Sequence, residues 1–356
     1  MLQSLAIQRF KSIDRAEVSG LASLNIIVGK SASGKTALLE AIRTGLSGLP
    51  ASLWNSSSTR GGFLPIPQQP SPDTFEAMWR PFFYDFDTDK HIIIKMVDNF
   101  GRAANVDCFI DRDVSISVPV VMMPGTPVYA PASINPFVML RVSFNGDTSR
   151  LSAYQNQHQG LFFEPGPELA SSSELIASTI PINFHQVANW FSALSIDDKE
   201  HDIVETICSA FPNIGGVSVQ SIQGVPQLYA TLRSQNRKLP ITSVSSGINK
   251  FISILIAMKV YAGGVVLVDE IENGIYFEML PLLWSTINAF AAKTNTQVFA
   301  TTHSWECLTA AARALEKTNE RLSLIRVSQK EGRTSLSLSS GRDAKNAILG
   351  DIEVRQ

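Results

Sequence analysis

The chain is poor in cysteine, poor in charge and without a surplus of positive residues. Its three cysteines, Cys108, Cys208 and Cys307, stand far apart and share no metal-like spacing, which argues against a disulfide framework and fits a reducing cytosol. A formal net charge of -2 removes the global electrostatic footprint of a nucleic-acid-binding protein and leaves only a local basic patch open. No heptad pattern is sustained, so no long coiled-coil arm is expected, and no internal repeat is visible. The opening MLQSLAIQRFKSID lacks the apolar core of a signal peptide. One apolar run, Phe251 to Val268, approaches membrane-span length, but Lys259 lies inside it and Ala262-Gly263-Gly264 breaks it. What is present is a globular composition, 44% hydrophobic and 17% charged over 356 residues, enough for one large domain or two small ones.

Hydrophobic patterning predicts strands at Leu2 to Phe10 and at Leu24 to Val28, the second bounded by Gly29. Lys35 to Leu46 has helical spacing, with Leu38, Leu39 and Ile42 on one side. Asn55 to Asp73, rich in Ser, Gly, Pro and Gln, reads as a loop. Ile92 to Val97 and Ala104 to Ile110 flank a turn at Asp98 to Gly101 and predict a hairpin. Val138 to Phe144 runs into Asn145-Gly146, a further hairpin signal, after a Pro-rich connector at Pro119 to Pro136. Ser172 to Phe211 reads as mainly helical, and Val217 to Leu232 as a hairpin with Gly224 near its turn. Beyond Gly247 the pattern is helix at Ile248 to Val260, buried strand at Val265 to Val268, helix at Met279 to Lys293 and buried strand at Gln297 to Thr301. Leu322 to Val327 and Thr334 to Leu338 predict a final hairpin.

Four segments carry chemistry. Gly29-Lys30-Ser31-Ala32-Ser33-Gly34-Lys35-Thr36 matches the P-loop pattern in full, between a predicted strand and a predicted helix. There the backbone curls so that its N–H groups face phosphates, helped by the positive helix end. Lys35 would reach the β- and γ-phosphates, and the Thr36 hydroxyl would ligate Mg²⁺. Val265 to Val268 ends in Asp269 and Glu270. Asp269 would hold Mg²⁺ through its water shell, and Glu270 would face an attacking water as general base or polariser. Acids at a helix start are the plainer explanation of that pair, and the upstream P-loop favours the catalytic one. Ser243 to Gly247 precedes a helix and, taken alone, is an ordinary cap. In this company Ser245, Ser246 and Gly247 become an anion site for the γ-phosphate on another protomer's P-loop. His303, at the end of a strand that runs into Thr301 and Thr302, is either structural or a γ-phosphate sensor at the ligand-binding end of a parallel sheet.

These segments, in this order, resemble the ABC-type ATPase superfamily that includes SMC proteins, RecF and the OLD (overcoming lysogenization defect) ATPases. Leu5 to Ile13 (LAIQRFKSI) is similar to the opening of those heads, and Val268 to Gly274 (VDEIENG) and Gln297 to Glu306 (QVFATTHSWE) are similar to the OLD-like members. The likeness is strong at both ends of the chain and weak in the middle.

The resemblance implies an α/β P-loop NTPase: an ABC-type head with a RecA-like core, an antiparallel β layer and a helical lobe. It would form a single composite domain, with a core lobe at about 1–150 plus 260–356 and a helical, signature-bearing lobe at about 151–259. The expected activity is ATP hydrolysis with Mg²⁺. Two heads would sandwich two ATP molecules, in a homodimer or higher assembly. Lys11 and Ser12 would lie near the nucleotide, and Asn273 and Gly274 in the loop that crosses the dimer. Ser31 stands where many relatives have Asn, and Gln68 and Gln69 are the candidates for a Q-loop glutamine, although their Pro-rich setting favours a plain loop. The chain after Glu270 leaves no room for a Toprim nuclease domain, so a nuclease or toxin activity would belong to a separate effector, and the expected role is in prokaryotic defence against phage or plasmids. A RecF- or SMC-like DNA clamp is the alternative. The expected location is cytoplasmic, with nucleic acid a possible ligand and no membrane partner.

Overall fold

Apolar β-branched runs become the strands, and those buried on both faces form a parallel sheet. The computed structural model describes residues 1–47, 53, 72–112, 139–145, 152–156, 160–163, 173–177, 184–234, 237–330 and 333–350. The chain opens with β1 (Leu2–Phe10), β2 (Ile13–Ser19), β3 (Leu24–Val28), α1 (Lys35–Ser47) and α2 (Pro72–Trp79). Strands β4 (Ile92–Asp98), β5 (Ala103–Asp111), β6 (Met139–Phe144), β7 (Ser152–Asn156), β8 (Gly160–Phe163) and β9 (Ser173–Ile176) follow. Next come α3 (Phe184–Ile196), α4 (His201–Ala210), β10 (Ile214–Ile222), β11 (Val225–Leu232) and β12 (Arg237–Pro240). The last part holds α5 (Ser246–Val260), β13 (Val265–Val268), α6 (Leu280–Thr294), β14 (Gln297–Thr301), α7 (Trp305–Ala314), β15 (Leu322–Lys330), β16 (Arg333–Ser340) and α8 (Gly341–Leu349).

Among the described residues these strands form three sheets. The central one has the order β16-β15-β3-β14-β13-β9 and is parallel except for β16, which pairs antiparallel with β15. A seven-stranded antiparallel sheet has the order β2-β1-β4-β5-β6-β7-β8, and β10-β11-β12 form a small third sheet. The central strands alternate their side chains between two cores. Ile27, Leu267 and Phe299 face α1 and the antiparallel sheet, where Leu38, Ile42, Ile7 and Ile94 meet them. Ile26, Val266 and Val298 face the opposite side, against Leu255, Trp284 and Leu308 of α5, α6 and α7. Each such fully buried aliphatic side chain stabilises the fold by roughly 1.5–3 kcal/mol. Helix α1 is therefore held between two sheets, and the loop before it is fixed from both.

Gln297 pins the layers by polar contacts. Its Oε1 accepts from the Leu2 amide at 2.7 Å, and its Nε2 donates to the carbonyls of Leu2 and Ala22 at 2.9 and 2.8 Å. The side chain is fully buried, so these bonds satisfy groups that would be costly to leave unpaired.

The predicted strands and helices at both ends of the chain are present, as are the hairpins β4–β5, β10–β11 and β15–β16. Ser172 to Phe211 is mainly helical, as α3 and α4, but it opens with a strand that the sequence did not predict: Ser173–Ile176 pairs in parallel with β13. A four-residue edge strand of the sequence Ser-Glu-Leu-Ile is too short to show a period, and its pairing partner lies far along the chain. The connector at 119–136, Gln68 and Gln69 lie outside the described residues.

Candidate active site

The parallel strands β3, β14 and β13 are neighbours in register, so the segments leaving their carboxyl ends meet on one edge of the sheet. That edge is where α/β sheets bind ligands. The predicted groups converge there on a cleft of about 410 Å³. Ser31 to Gly34 come from the loop after β3, Lys35 and Thr36 from the start of α1, Asp269 and Glu270 follow β13, His303 follows β14, and Lys11 and Ser12 come from the β1–β2 turn.

The P-loop backbone is held by its own residues. Gly29 has φ +155°, and a Cβ there would lie 2.3 Å from the Val327 carbonyl oxygen, so only glycine fits. The buried Lys35 donates from Nζ to the carbonyls of Gly29 at 2.9 Å and Lys30 at 2.8 Å, closing the loop around its ammonium. Burial lowers the Lys35 pKa, and the carboxylates of Asp269, Glu270 and Glu272 pull against that. Ser33 is buried, and its Oγ has no partner among the described residues. An orphaned buried hydroxyl beside an ammonium and curled amides fits a phosphate ligand.

Thr36 Oγ1 faces Asp269 Oδ1 at 3.4 Å. A hydroxyl and a carboxylate across one gap are the hard oxygen donors that Mg²⁺ takes, so the residues present fit that ion. Asp269 is buried and is fixed by Thr301, whose hydroxyl donates to Oδ1 at 2.6 Å. The same Thr301 oxygen accepts from the Glu270 amide at 2.7 Å. Glu270 has φ +45°, a left-handed backbone that costs a non-glycine residue on the order of 1–3 kcal/mol and persists only when its surroundings hold it.

Lys11 has its ammonium on Glu40 and 4.9 Å from the Phe82 ring centre, so it stands beside the cleft already engaged. His303 is exposed, and its amide donates to Glu272 Oε1 at 2.8 Å. Ser245 and Ser246 are also exposed, at the start of α5, while Gly247 is buried. None of these three lines the cleft of this protomer. Gly247 is required by close approach: a Cβ there would lie 2.4 Å from the Gly274 carbonyl oxygen.

Three residues of this region escaped the sequence reading. Thr301 is visible only as a polar residue closing an apolar strand. Lys250 is a lysine inside the apolar stretch Ile248 to Ala257; it is buried, donates to the backbone carbonyls of Asp269 and Glu270, and is pulled down to about 8, chiefly by burial. Glu272 is the third acid of Asp-Glu-Ile-Glu, within the turn at 271–274, and gave no separate signal.

A family model described as "AAA domain, putative AbiEii toxin, Type IV TA system" matches residues 138–308, and one described as "AAA domain" matches residues 4–70. Both descriptions name an AAA domain, and the P-loop lies within the second matched stretch. A Helicobacter pylori protein named "ATP/GTP phosphatase" is 22% identical over 328 residues, covering 86% of each chain. Among solved structures, an Smc head bound to the C-winged helix domain of ScpA superposes with a TM-score of 0.52 at 12% identity, over 96% of this chain and 99% of that chain. An SMC head domain from Thermotoga maritima aligns at a TM-score of 0.49 and 12% identity, over 95% and 99% of the two chains. The likeness to the ScpA-bound Smc head, at 0.52, gives the chain an SMC-head-like α/β fold. Among its described residues no helix is long and apolar enough to cross a membrane.

Proposed function

We propose that the protein is a Mg-ATP-dependent switch in which two copies close head to head on ATP and hydrolysis opens them. The observation that carries this reading is a split constellation. P-loop, Asp269, Glu270 and His303 share one cleft, whereas Ser245 and Ser246 are exposed elsewhere, at the N-terminus of a long helix. Hydroxyls at a helix N-terminus suit an anion, and those of one protomer would meet the γ-phosphate held by the other.

Within the cleft, Ser31 to Thr36 and Lys35 would cradle the phosphates, with Lys11 and Ser12 at their flank. Thr36 and Asp269 would hold Mg²⁺, which when bound neutralises charge on the β- and γ-phosphoryl oxygens. Glu270 would orient and polarise the water that attacks the γ-phosphorus, and His303 would contact the γ-phosphate. Loss of the γ-phosphate removes the contact that joins the copies, so the switch works by differential affinity for ATP and ADP. The division into a core lobe, about 1–150 plus 260–356, and a signature-bearing lobe, about 151–259, is part of the same proposal. So are a cytoplasmic location, a separate effector and a role in defence, for which the toxin–antitoxin wording of the matching family model gives support.

The test is the mass in solution, with and without Mg-ATP, of the wild type and of Glu270→Gln, together with phosphate release from ATP and from GTP. The switch requires that the variant bind nucleotide, stop hydrolysis and accumulate a dimer or larger assembly. Unchanged mass in both proteins would remove it.

A DNA clamp is a second reading, favoured by one observation. A cleft of about 580 Å³ beside the P-loop carries Lys30, Arg326 and Lys330 among hydroxyl-bearing residues. Those cations suit a phosphodiester backbone. ATP-dependent, salt-sensitive retention of duplex DNA would support this reading, and failure to retain it at moderate salt would exclude it.

A further inference from the structure

Helix α5 begins with Ser246 and Gly247 and carries Lys250 one turn later, so the segment proposed to meet a second copy's nucleotide is rigidly joined to whatever Lys250 touches. Lys250 touches the catalytic turn of its own protomer. Its Nζ donates to the carbonyl of Asp269 at 3.3 Å and to that of Glu270. The same helix presses on the far end of that turn, where Gly247 packs against the Gly274 carbonyl. The turn is in its own right tied to the histidine segment. Glu272 Oε1 accepts from the amides of His303 at 2.8 Å and Ser304 at 3.2 Å. The Ile271 amide also donates to the Thr301 carbonyl at 3.0 Å. Neither Lys250 nor Glu272 lines the cleft, so neither is placed to touch substrate.

We infer that Lys250 and Glu272 are positioning residues that link helix α5, through the Asp269–Gly274 turn, to the backbone of His303. Contact of Ser245 to Gly247 with a second copy's nucleotide then sets the placement of this protomer's own Glu270. The inference deepens the switch proposed above and rests on it. The left-handed backbone of Glu270 is the point of leverage, because its carbonyl is held by Lys250 and its amide by Thr301. A displacement of about 1 Å at a reacting group is enough to cost on the order of a hundredfold in rate.

The experiment compares full-length wild type, Lys250→Met and Glu272→Met. The readouts are thermal melting, binding of a fluorescent ATP analogue, mass with Mg-ATP, and kcat and KM for phosphate release. Glu272→Met keeps the length of the side chain and removes the oxygen that accepts from both amides, so it tests the link even if Lys250→Met folds poorly. The expected result is ATP binding and ATP-driven assembly close to wild type in at least Glu272→Met, with kcat down at least about tenfold and KM within about threefold. That pattern separates assembly from turnover, which a merely structural role does not do. Turnover of both variants within about twofold of wild type would overturn the inference. So would loss of turnover only in step with loss of melting temperature and ATP binding. A wild type that hydrolyses ATP without changing mass would instead remove the switch, and with it the inference. That outcome is distinct because it is read without any variant.

Discussion

Replacing Thr301 by valine keeps the branched shape and deletes one hydroxyl, and the structure assigns that hydroxyl two duties. It donates to Asp269 Oδ1 at 2.6 Å and accepts from the Glu270 amide at 2.7 Å, in a fully buried position. Losing a hydrogen bond to a charged group costs about 1.5–3 kcal/mol, and leaving a buried amide without an acceptor costs about 1–3 kcal/mol more. These costs overlap, because Glu270 can relax away from its left-handed backbone, so a total near 3 kcal/mol is expected. In a chain of this size that lowers Tm by roughly 4 °C. The relaxation also displaces Glu270, so kcat should fall about 10–100-fold. The P-loop contacts of Lys35 do not involve Thr301, so affinity for nucleotide should stay within about threefold of wild type. Calorimetric melting, nucleotide titration and phosphate release measure the three quantities on one preparation. If Thr301→Val melts within about 2 °C of wild type and turns over within about twofold, the hydroxyl does not hold the two acids and the account of Glu270 is wrong.

Gly29→Ala should abolish nucleotide binding while secondary structure is kept, because its Cβ would lie 2.3 Å from the Val327 carbonyl oxygen at a φ of +155° and the loop must uncurl; undiminished titration by ATP would contradict this. Gln297→Leu strips three bonds between β14 and the start of the chain and takes the acceptor from the Leu2 amide, while the Ala22 carbonyl keeps Asn25 Nδ2 at 2.7 Å, so urea unfolding should shift by about 2 kcal/mol, and a shift under about 1 kcal/mol would show that the Leu2 groups find other partners. Glu174 gives a pH signature. Burial raises its carboxyl above the ordinary 4.5, against the pull of Arg43 and the Tyr261 hydroxyl. A raised folded-state pKa means the folded chain binds the proton more tightly. The stabilisation is therefore complete below the unfolded value and is lost as pH rises through the folded one. The Tm of wild type should fall relative to that of Glu174→Gln as pH climbs from 4.5, and a constant difference would remove the effect.

The site was legible in sequence where a local pattern fixes a backbone. Gly29 to Thr36 needs no distant information, because strand, glycine turn and helix are contiguous. Asp269 and Glu270 could be found because an apolar strand points them at the sheet edge. The residues that hold these groups in place were not legible, since each acts across the fold. Thr301 reaches Asp269 from the neighbouring strand, Lys250 reaches the same turn from α5, and Gln297 reaches back to Leu2. Lys250 was the most open to inference: an ammonium inside an apolar helix must find buried acceptors or neutralise, and the only question was where they lie. Strand β9 failed for the opposite reason. Ser173–Ile176 has no pattern of its own and is a strand because β13 offers it a parallel edge. The local signals therefore name the groups that would touch nucleotide, while the groups that would decide when those act are found only once distant segments are brought together. For a switch this is the expected division, because a group that couples two surfaces has to answer to both, and neither surface is near it in sequence.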